Sequence, residues 1–244
     1  MMAQQLKETT KFRVKSANAK DWKSIVSAVE TLMEEANFTV DKDGFKFRAM
    51  DPSHIAMIDV KWSPKSFESF QCEKSDSFGL RLEDFRKLID RAGNDSFEIS
   101  REDKQELIIR EGQNREFQLH LVDADVRDSP LPKLNLDSRF VLDSDQFDSI
   151  MKDVAAISNH IKISTEGNKL IFEGRSDQGK ARVELEQKEK FTNPASSTYS
   201  LEYLQKLCKH FSGEIKFAFS SKMPLKISFL EGVLDLFLAP RVSE

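Results

Sequence analysis

The side chains in this sequence that could carry chemistry are few and widely separated. Its four histidines share no metal-ligand spacing with one another: His54, His120, His160 and His210. Two aspartate pairs, Asp123-x-Asp125 and Asp143-x-Asp145, could hold Mg²⁺ through their carboxylates, although acidic pairs beside a connector or a helix start more often act as solvated caps. No glycine-rich phosphate loop and no nucleophile elbow occurs. The sequence therefore indicates a binding protein with no catalytic residue, no metal and no cofactor.

Composition restricts what such a protein could bind. Hydrophobic residues make up 39% of the 244 residues and charged residues 32%, which is typical of a soluble globular protein with a heavily charged surface. The formal net charge of −4 argues against a protein that grips nucleic acid over its whole surface. No apolar run reaches membrane-spanning length and the N-terminus lacks the apolar segment of a signal peptide, so we expect no membrane contact. The two cysteines, Cys72 and Cys208, form no metal-type spacing and are expected to be reduced thiols.

The elements that must position a binding surface are arranged about a proline-containing stretch in the middle of the chain. This stretch carries Pro130 and Pro132, which remove two backbone donors and fix φ, so neither a helix nor a central strand can pass through it. Pro132 also biases Leu131 towards an extended conformation. We interpret residues 125–138 as a surface connector between an N-terminal domain (residues 1–124) and a C-terminal domain (residues 139–244).

The two halves on either side of the connector repeat one unit. Each begins with a strand-like segment followed by an amphipathic helix whose apolar residues recur three and four apart. In the first predicted helix these residues are Trp22, Ile25, Val26, Val29, Leu32, Met33 and Ala36. In the corresponding helix of the second half they are Phe147, Ile150, Met151, Val154 and Ile157. An alternating hairpin with a glycine turn follows each helix, at Gly44 and at Gly167.

A second helix and a closing pair of strands complete each unit. The pattern predicts a helix over Leu82–Arg91, ended by Gly93 as its C-cap, and the segment Leu201–Leu207 repeats that pattern. Glu111-Gly112 and Glu231-Gly232 are predicted to turn between the closing strands. Four matches at nearly constant offset indicate a duplication. We therefore predict an α+β fold with two copies of a strand–helix–strands–helix–strands unit, the helices lying on one face of antiparallel sheets.

The four predicted helices mix basic and acidic side chains. They carry the basic residues Lys20, Lys23, Arg86, Lys87, Arg91, Lys152, Lys206 and Lys209. Interleaved with these are the acidic residues Glu83, Asp90, Asp148 and Glu202. Lys87 and Lys206 occupy matching positions in the repeat, and both project away from the apolar faces of their helices. On charge alone this pattern is most typical of a solvated mixed-charge surface, and the alternative is a surface that contacts nucleic-acid phosphates.

Two segments give the duplicated unit a known counterpart. The first is Phe47–Met57, which contains Met50-Asp-Pro-Ser-His54, and the second is Leu238-Ala-Pro-Arg241. At their places in a duplicated unit with a proline-containing connector, they make the chain, from about Lys11 to Val242, similar to the sliding clamp family of proliferating cell nuclear antigen and its archaeal relatives. No acidic tail follows Arg241, which resembles the archaeal members more than the eukaryotic ones.

The resemblance implies a homotrimeric, pseudo-sixfold ring through which double-stranded DNA passes without sequence recognition. The helices would line the hole, and the residues implied to face DNA are Lys20, Lys23, Lys87, Arg91, Lys152, Lys206 and Lys209. The protein would be a polymerase processivity factor for DNA replication and repair that tethers DNA polymerase, flap endonuclease or DNA ligase, and a separate clamp loader would open it. Ring closure would pair the strand Arg115–Val122 with Lys180–Leu185 of the next subunit.

The resemblance also implies a pocket for peptides of the partner enzymes beneath the connector. The matching positions are Met50, His54, Ile55, Met57, Leu131, Pro132, Pro224, Phe237, Ala239 and Pro240. Phe237 stands where many relatives carry tyrosine, so the pocket would keep an apolar wall without a hydroxyl. Pro130 departs from the usual small residue, which leaves open the path of the connector before Leu131. These apolar residues could instead be ordinary core, but Leu131 and Pro132 lie on an extended surface connector that has little core to join.

Two other interpretations stay open. The chain could be one subunit of a heterotrimeric or checkpoint-type clamp, which the mass of the purified chain in solution would reveal. It could also be a metal-dependent nucleic-acid enzyme that uses the Asp-x-Asp pairs, which an assay for Mg²⁺-dependent DNA cleavage would reveal. A clamp is expected in the cytoplasm, associated with the nucleoid, in an archaeal cell and in the nucleus of a eukaryotic one.

Overall fold

Backbone contacts divide the chain into two units, which are described separately. The computed structural model describes residues 10–102, 105–124 and 129–241. Within these ranges, contacts group residues 10–47 and 60–124 into a first unit, and Arg48–Asp59 with residues 129–241 into a second. The second unit therefore includes a short segment from the N-terminal half of the chain, which no local sequence pattern indicated.

The first unit combines two helices with antiparallel strands. Its elements, including the two strands that run into the segment Arg48–Asp59, are β1 (Phe12–Ser16), α1 (Lys20–Glu30), β2 (Glu35–Asp41), β3 (Gly44–Met50), β4 (Ala56–Trp62), β5 (Ser69–Cys72), β6 (Asp76–Arg81), α2 (Leu82–Asp90), β7 (Phe97–Arg101), β8 (Glu106–Glu111) and β9 (Arg115–His120). One sheet has the strand order β5-β1-β7-β8-β9. In addition, β2 pairs with both β3 and β6.

The second unit repeats this plan. Its further elements are β10 (Ser138–Asp143), α3 (Ser144–Ala155), β11 (His160–Glu166), β12 (Lys169–Ser176), β13 (Gly179–Glu186), β14 (Ala195–Ser200), α4 (Leu201–Cys208), β15 (Glu214–Phe219), β16 (Leu225–Phe229) and β17 (Leu234–Leu238). Four strands form an antiparallel sheet in the order β13-β12-β11-β14, and four others follow one another in the order β10-β15-β16-β17. No helix in the described ranges is long and apolar enough to cross a membrane.

Aromatic side chains fill both cores. In the first unit the ring of Trp22 on α1 lies 5.0 Å from Phe45 and 4.6 Å from Trp62, centroid to centroid, and its indole N–H donates to the Ser16 hydroxyl at 2.9 Å. In the second unit the ring centroid of Phe147 on α3 lies 4.8 Å from that of Phe217. Large rings of this kind bury much apolar area each, and the one polar atom of Trp22 has a partner. Each helix is therefore fixed on its sheet by its apolar face.

The predicted duplication and the α+β class are confirmed. The second helix of each unit begins at the matching leucine, Leu82 in α2 and Leu201 in α4. The turn between β8 and β9 contains Gly112 with φ of 57°, and the turn between β16 and β17 contains Gly232 with φ of 93°. These are left-handed conformations in which glycine meets no steric penalty.

The predicted ends of two helices were wrong. The helix α1 ends at Glu30, so Leu32 and Met33 lie beyond it, and Ala36 belongs to β2. Likewise α3 ends at Ala155, which leaves Ile157 outside the helix. Leu32, Met33 and Ile157 are half-buried residues of the turns after these helices, whereas Ala36 is buried in β2. Apolar side chains therefore recur at the same spacing after the helix has ended, so the spacing alone does not mark its last residue.

The predicted C-cap at Gly93 was also wrong. The helix α2 ends at Asp90, and Arg91 follows in a right-handed conformation with its N–H bonded to the carbonyls of Ile89 and Leu88. Gly93 instead donates its N–H to the Glu111 carboxylate. The exposed helix end is therefore closed by its own backbone and not by a left-handed glycine.

Candidate functional site

The loop that connects β3 to β4, residues 51–55, is built around the buried carboxylate of Asp51. Asp51 is 4% exposed, and its Oδ1 accepts hydrogen bonds from the backbone N–H groups of Ile55 (2.8 Å) and Ala56 (2.6 Å). Its Oδ2 accepts from the N–H of Ser53 at 3.2 Å. His54 closes the turn with φ of 58°, which is unusual for a residue other than glycine. We call this segment the Asp51 loop.

A fourth hydrogen bond to Asp51 comes from far along the sequence. The hydroxyl of Tyr203, on α4, donates to Asp51 Oδ2 at 2.8 Å. Burial raises the pKa of Tyr203, and its hydrogen bond with Asp51 adds to that rise, so the hydroxyl keeps its proton for donation at neutral pH. A second tyrosine, Tyr199, donates its hydroxyl to the carbonyl of Met223 at 2.9 Å, directly before Pro224. One feature of the sequence could have indicated these contacts, because the chain has only two tyrosines beside 19 phenylalanines.

The Asp51 loop is joined to the segment after β17. Ala239 donates its N–H to the carbonyl of Ile55 at 2.8 Å, and Arg241 donates its N–H to the carbonyl of Thr198 at 2.8 Å. Phe237 pairs with Lys226 of β16, whose ammonium lies 5.8 Å from the centroid of the Phe237 ring. The structure therefore brings Ile55, Ala239 and the neighbouring Pro240 together on one backbone framework.

The ten predicted pocket residues differ in how much surface they leave open. Those at the surface are His54, Ile55 and Leu131; those half-buried are Met50, Pro132, Pro224, Ala239 and Pro240; those buried are Met57 and Phe237. Three large apolar side chains among the described residues are exposed, namely Ile55 (37%), Leu131 (38%) and Val141 (46%). Two of the three belong to the predicted pocket.

The connector is irregular where the structure describes it. Residues 129–137 form no helix or strand, and the four residues before them, with which the predicted connector begins, lie outside the described ranges. Its far end is anchored, because Asp137 donates its N–H to the Ser220 hydroxyl at 2.9 Å and Leu136 is buried. The Ser220 hydroxyl in turn donates to the carbonyl of Asn135 at 3.4 Å. Leu131 is therefore exposed on an irregular segment that is anchored at its C-terminal end.

Three of the predicted DNA-facing lysines are held by carboxylates one helical turn earlier. The distance from the lysine Nζ to the nearest carboxylate oxygen is 2.7 Å for Lys87 and Glu83, 2.5 Å for Lys152 and Asp148, and 2.6 Å for Lys206 and Glu202. These partners are the acidic residues that the sequence interleaves with the basic ones. The hydrogen bonds raise the pKa of Lys87 and Lys152 and lower the pKa of Glu83 and Glu202. All of these pairs are exposed, so they are weak and can exchange for phosphate contacts.

The other predicted DNA-facing residues have different surroundings. Lys23 is half-buried, and its ammonium donates to the carbonyls of Ala92 (2.6 Å) and Asp90 (3.4 Å) at the end of α2. Lys20, Arg91 and Lys209 are exposed, and no carboxylate of the described ranges forms an ion pair with them. Lys23 therefore serves the packing of α1 against α2, while the other three remain available to a ligand.

The first aspartate of the pair at α3 acts as a helix cap. Asp143 Oδ1 accepts the N–H of Asp145 at 2.9 Å at the start of α3. Asp125 of the other pair lies outside the described ranges. Both cysteines are thiols, and burial raises the pKa of the Cys208 thiol well above its usual range. Within the described ranges, no three His, Cys, Asp or Glu side chains cluster as a metal site would require.

Two edge strands, one in each unit, carry apolar side chains that are only half-covered. β9 ends the sheet of the first unit and presents Phe117 and Leu119. β13 ends a sheet of the second unit and presents Val183 and Leu185. These are the two strands that the resemblance assigns to ring closure.

Together these features define a duplicated α+β protein with two helices in each unit, open sheet edges and a surface loop joined to the C-terminal strand. Residues 11–129 match the family model described as "Proliferating cell nuclear antigen, N-terminal domain", and residues 130–241 match the model of the C-terminal domain. The chain therefore belongs to the proliferating cell nuclear antigen family of DNA polymerase sliding clamps, as the sequence resemblance predicted.

Individual relatives agree with this assignment. A DNA polymerase sliding clamp of Nitrosopumilus maritimus is 38% identical over 244 residues, covering 95% of this chain and 98% of that one. Another, of Cenarchaeum symbiosum, is 35% identical over 245 residues, covering 95% and 99%.

Solved structures show the same fold. The proliferating cell nuclear antigen of Thermococcus kodakaraensis superposes with a TM-score of 0.89 at 22% identity, covering 94% of this chain and all of that one. The A. fulgidus protein, solved with the C-terminal region of FEN-1 bound, superposes with a TM-score of 0.87 at 22% identity, covering 96% and 99%.

Proposed function

We propose that three copies of this chain close into a ring that encircles double-stranded DNA and holds replication and repair enzymes on it. The observation that carries the proposal is the pair of open edges at β9 and β13. Edge strands with apolar side chains are normally blunted or covered, because they can pair with another chain. An edge in each unit allows head-to-tail pairing of identical subunits, which closes into a ring when the rotation is suitable.

The helices supply the contact with DNA. Exposed Lys20, Arg91 and Lys209 can approach phosphates directly, while the lysines paired one turn away must first leave their carboxylates. Phosphate contacts of this kind carry no sequence information and weaken steeply with salt. A ring that slides needs weak contacts, so an acidic chain with partly neutralised helices fits a sliding clamp better than a protein that grips DNA.

Partner enzymes would dock through short peptides at the Asp51 loop, the connector and the segment after β17. Ile55 and Leu131 supply exposed apolar surface, and Phe237 with Pro240 supplies the opposite wall. The relative solved with the FEN-1 C-terminal region supports a peptide of this kind. DNA polymerase and DNA ligase are proposed to use the same pocket, and a clamp loader to open the ring. The chain itself performs no catalysis, and it works with the chromosomal DNA, at the archaeal nucleoid or in a eukaryotic nucleus.

The experiment that tests this function asks whether the protein is linked to DNA by topology. The chain is loaded onto nicked circular DNA by an archaeal clamp loader and washed at high salt. We expect it to stay on the circle and to leave when the DNA is cut once, because phosphate contacts are largely lost at such salt. Release from the intact circle during the wash contradicts the proposal. The variant Leu119→Asp, which places a charge on the β9 edge, should fail to load, and Val141→Asp on β10 is its control.

A further inference from the structure

We propose that Tyr203 is a positioning residue of the peptide pocket, whose hydroxyl holds the Asp51 loop in the shape that receives a partner peptide. The inference rests on the proposed peptide pocket and adds to it a residue on α4 that is not among the pocket residues. Tyr203 would act through Asp51, and through Asp51 on His54 and Ile55.

Asp51 shows why one distant hydroxyl matters. Its three backbone donors all come from within five positions, so they shape the loop but do not attach it to the rest of the unit. The Tyr203 hydroxyl is 152 positions away and sits on a helix. Without it, Asp51 Oδ2 keeps only the N–H of Ser53, at 3.2 Å. A buried carboxylate that loses a donor is strongly disfavoured, so the loop would open to admit water.

Movement of the loop would reach the pocket through Ile55. This residue is bonded on both sides, because its N–H donates to Asp51 and its carbonyl accepts from Ala239. His54 beside it is held at a positive φ, a conformation that persists only when its surroundings over-determine it. Loosening Asp51 would therefore displace both the exposed Ile55 side chain and the start of the C-terminal wall.

The distribution of tyrosine supports a role for the hydroxyl beyond filling space. The chain uses phenylalanine nineteen times and tyrosine twice, so a ring without a hydroxyl is the usual choice in this protein. Both hydroxyls bond to segments of the predicted pocket, Tyr203 to the Asp51 loop and Tyr199 to Met223 beside Pro224. A phenyl ring would fill the same volume at either place, so the part that phenylalanine cannot supply is the hydrogen bond.

The test compares the wild type with Tyr203→Phe, which removes one oxygen atom and keeps the ring. Affinity is measured by calorimetry with a synthetic peptide that carries a glutamine and two neighbouring aromatic residues. We expect binding to weaken by about three- to tenfold, a part of what a hydrogen bond to a charged group contributes. In the peptide-free protein, the amides of Ile55 and Ala56 should exchange hydrogen faster. The control is Ser144→Ala, which removes another side-chain hydrogen bond of the same unit, to the N–H of Gly213, and should leave both readouts unchanged.

A double-mutant cycle separates positioning from general destabilisation. If Tyr203 acts through Asp51, then Tyr203→Phe should cost no further affinity in an Asp51→Ala background, where the hydroxyl has no side-chain acceptor at position 51. Equal peptide affinity for wild type and Tyr203→Phe overturns the inference while leaving the pocket intact, whether or not the amides exchange faster. A wild type that does not bind the peptide refutes the pocket itself, and the inference fails with it.

Discussion

The exposed apolar side chains at the predicted pocket allow a prediction that leaves the fold largely intact. We expect the double variant Ile55→Ala, Leu131→Ala to lose most of its affinity for a partner peptide while assembling as the wild type does. Both side chains are more than one third exposed in the chain alone. The surface they still show is the surface that a docked peptide would cover.

The size of the effect follows from those exposures. Fully burying a leucine or isoleucine side chain is worth about 3 kcal/mol at most, so the 37% and 38% still exposed correspond to about 1 kcal/mol each. Losing both contacts should cost about 2 kcal/mol of binding free energy, which is roughly a thirtyfold larger dissociation constant. Phe237 is a poorer first probe, because it is only 7% exposed and its truncation would cost fold stability as well as binding.

The assay is isothermal calorimetry with the glutamine and double-aromatic peptide, together with a thermal melt and a mass measurement. The matched control is Val141→Ala, because Val141 is the third exposed large apolar side chain and lies on β10, away from the predicted pocket residues in sequence. The control should bind the peptide as the wild type does. Unchanged affinity in the double variant, with folding and mass also unchanged, refutes the pocket.

Two further predictions concern charge. Replacing Lys20, Lys87, Lys152 and Lys209 with alanine should shorten the retention of loaded protein on DNA. It should also reduce the dependence of log affinity on log salt concentration by about one for each lysine that touches phosphate. Glu83→Gln, which frees Lys87, should lengthen retention, whereas unchanged retention in the quadruple variant means that these helices do not contact DNA. Burial, and then Lys209, lowers the pKa of His210 to about 4. The unfolded chain therefore binds the extra proton first, so stability should fall as the pH drops from about 6.5 to about 4, by up to about 2–3 kcal/mol. Denaturant unfolding at several pH values should show that the free energy of unfolding depends less on pH in His210→Gln than in the wild type, and as much in His120→Gln. The same pH dependence in the wild type and both variants contradicts a lowered pKa of His210.

Repeated local patterns made the fold predictable from the sequence. The matching starts of α2 at Leu82 and α4 at Leu201, and the glycine turns that follow the first helices, depend on residues close to one another along the chain. Helix ends were harder to predict, because core-facing residues such as Ala36 keep their spacing after the helix has become a strand. Gly93 shows the same limit, since a glycine after a helix is a C-cap only if the backbone takes a left-handed turn there.

The apolar residues of the candidate site were available from the sequence only through the family resemblance. The hydrogen bond that holds the Asp51 loop could not be predicted from the sequence, because it joins Tyr203 and Asp51, which are 152 positions apart. The grouping of Arg48–Asp59 with the second unit is equally non-local. Patterns of period two or 3.6 report which side of an element is buried, and they do not report which distant element lies against it.

The measurement that tests the central claim most directly is the mass of the purified chain in solution. Multi-angle light scattering at micromolar concentration should give about 84 kDa, three times the 28.0 kDa chain, because closed cyclic assembly consumes both open edges of every subunit. Leu119→Asp should shift the protein to the mass of one chain, and Val141→Asp should not. A wild type that stays at the mass of one chain across the micromolar range would contradict ring closure by identical subunits and favour a ring that needs different partner chains.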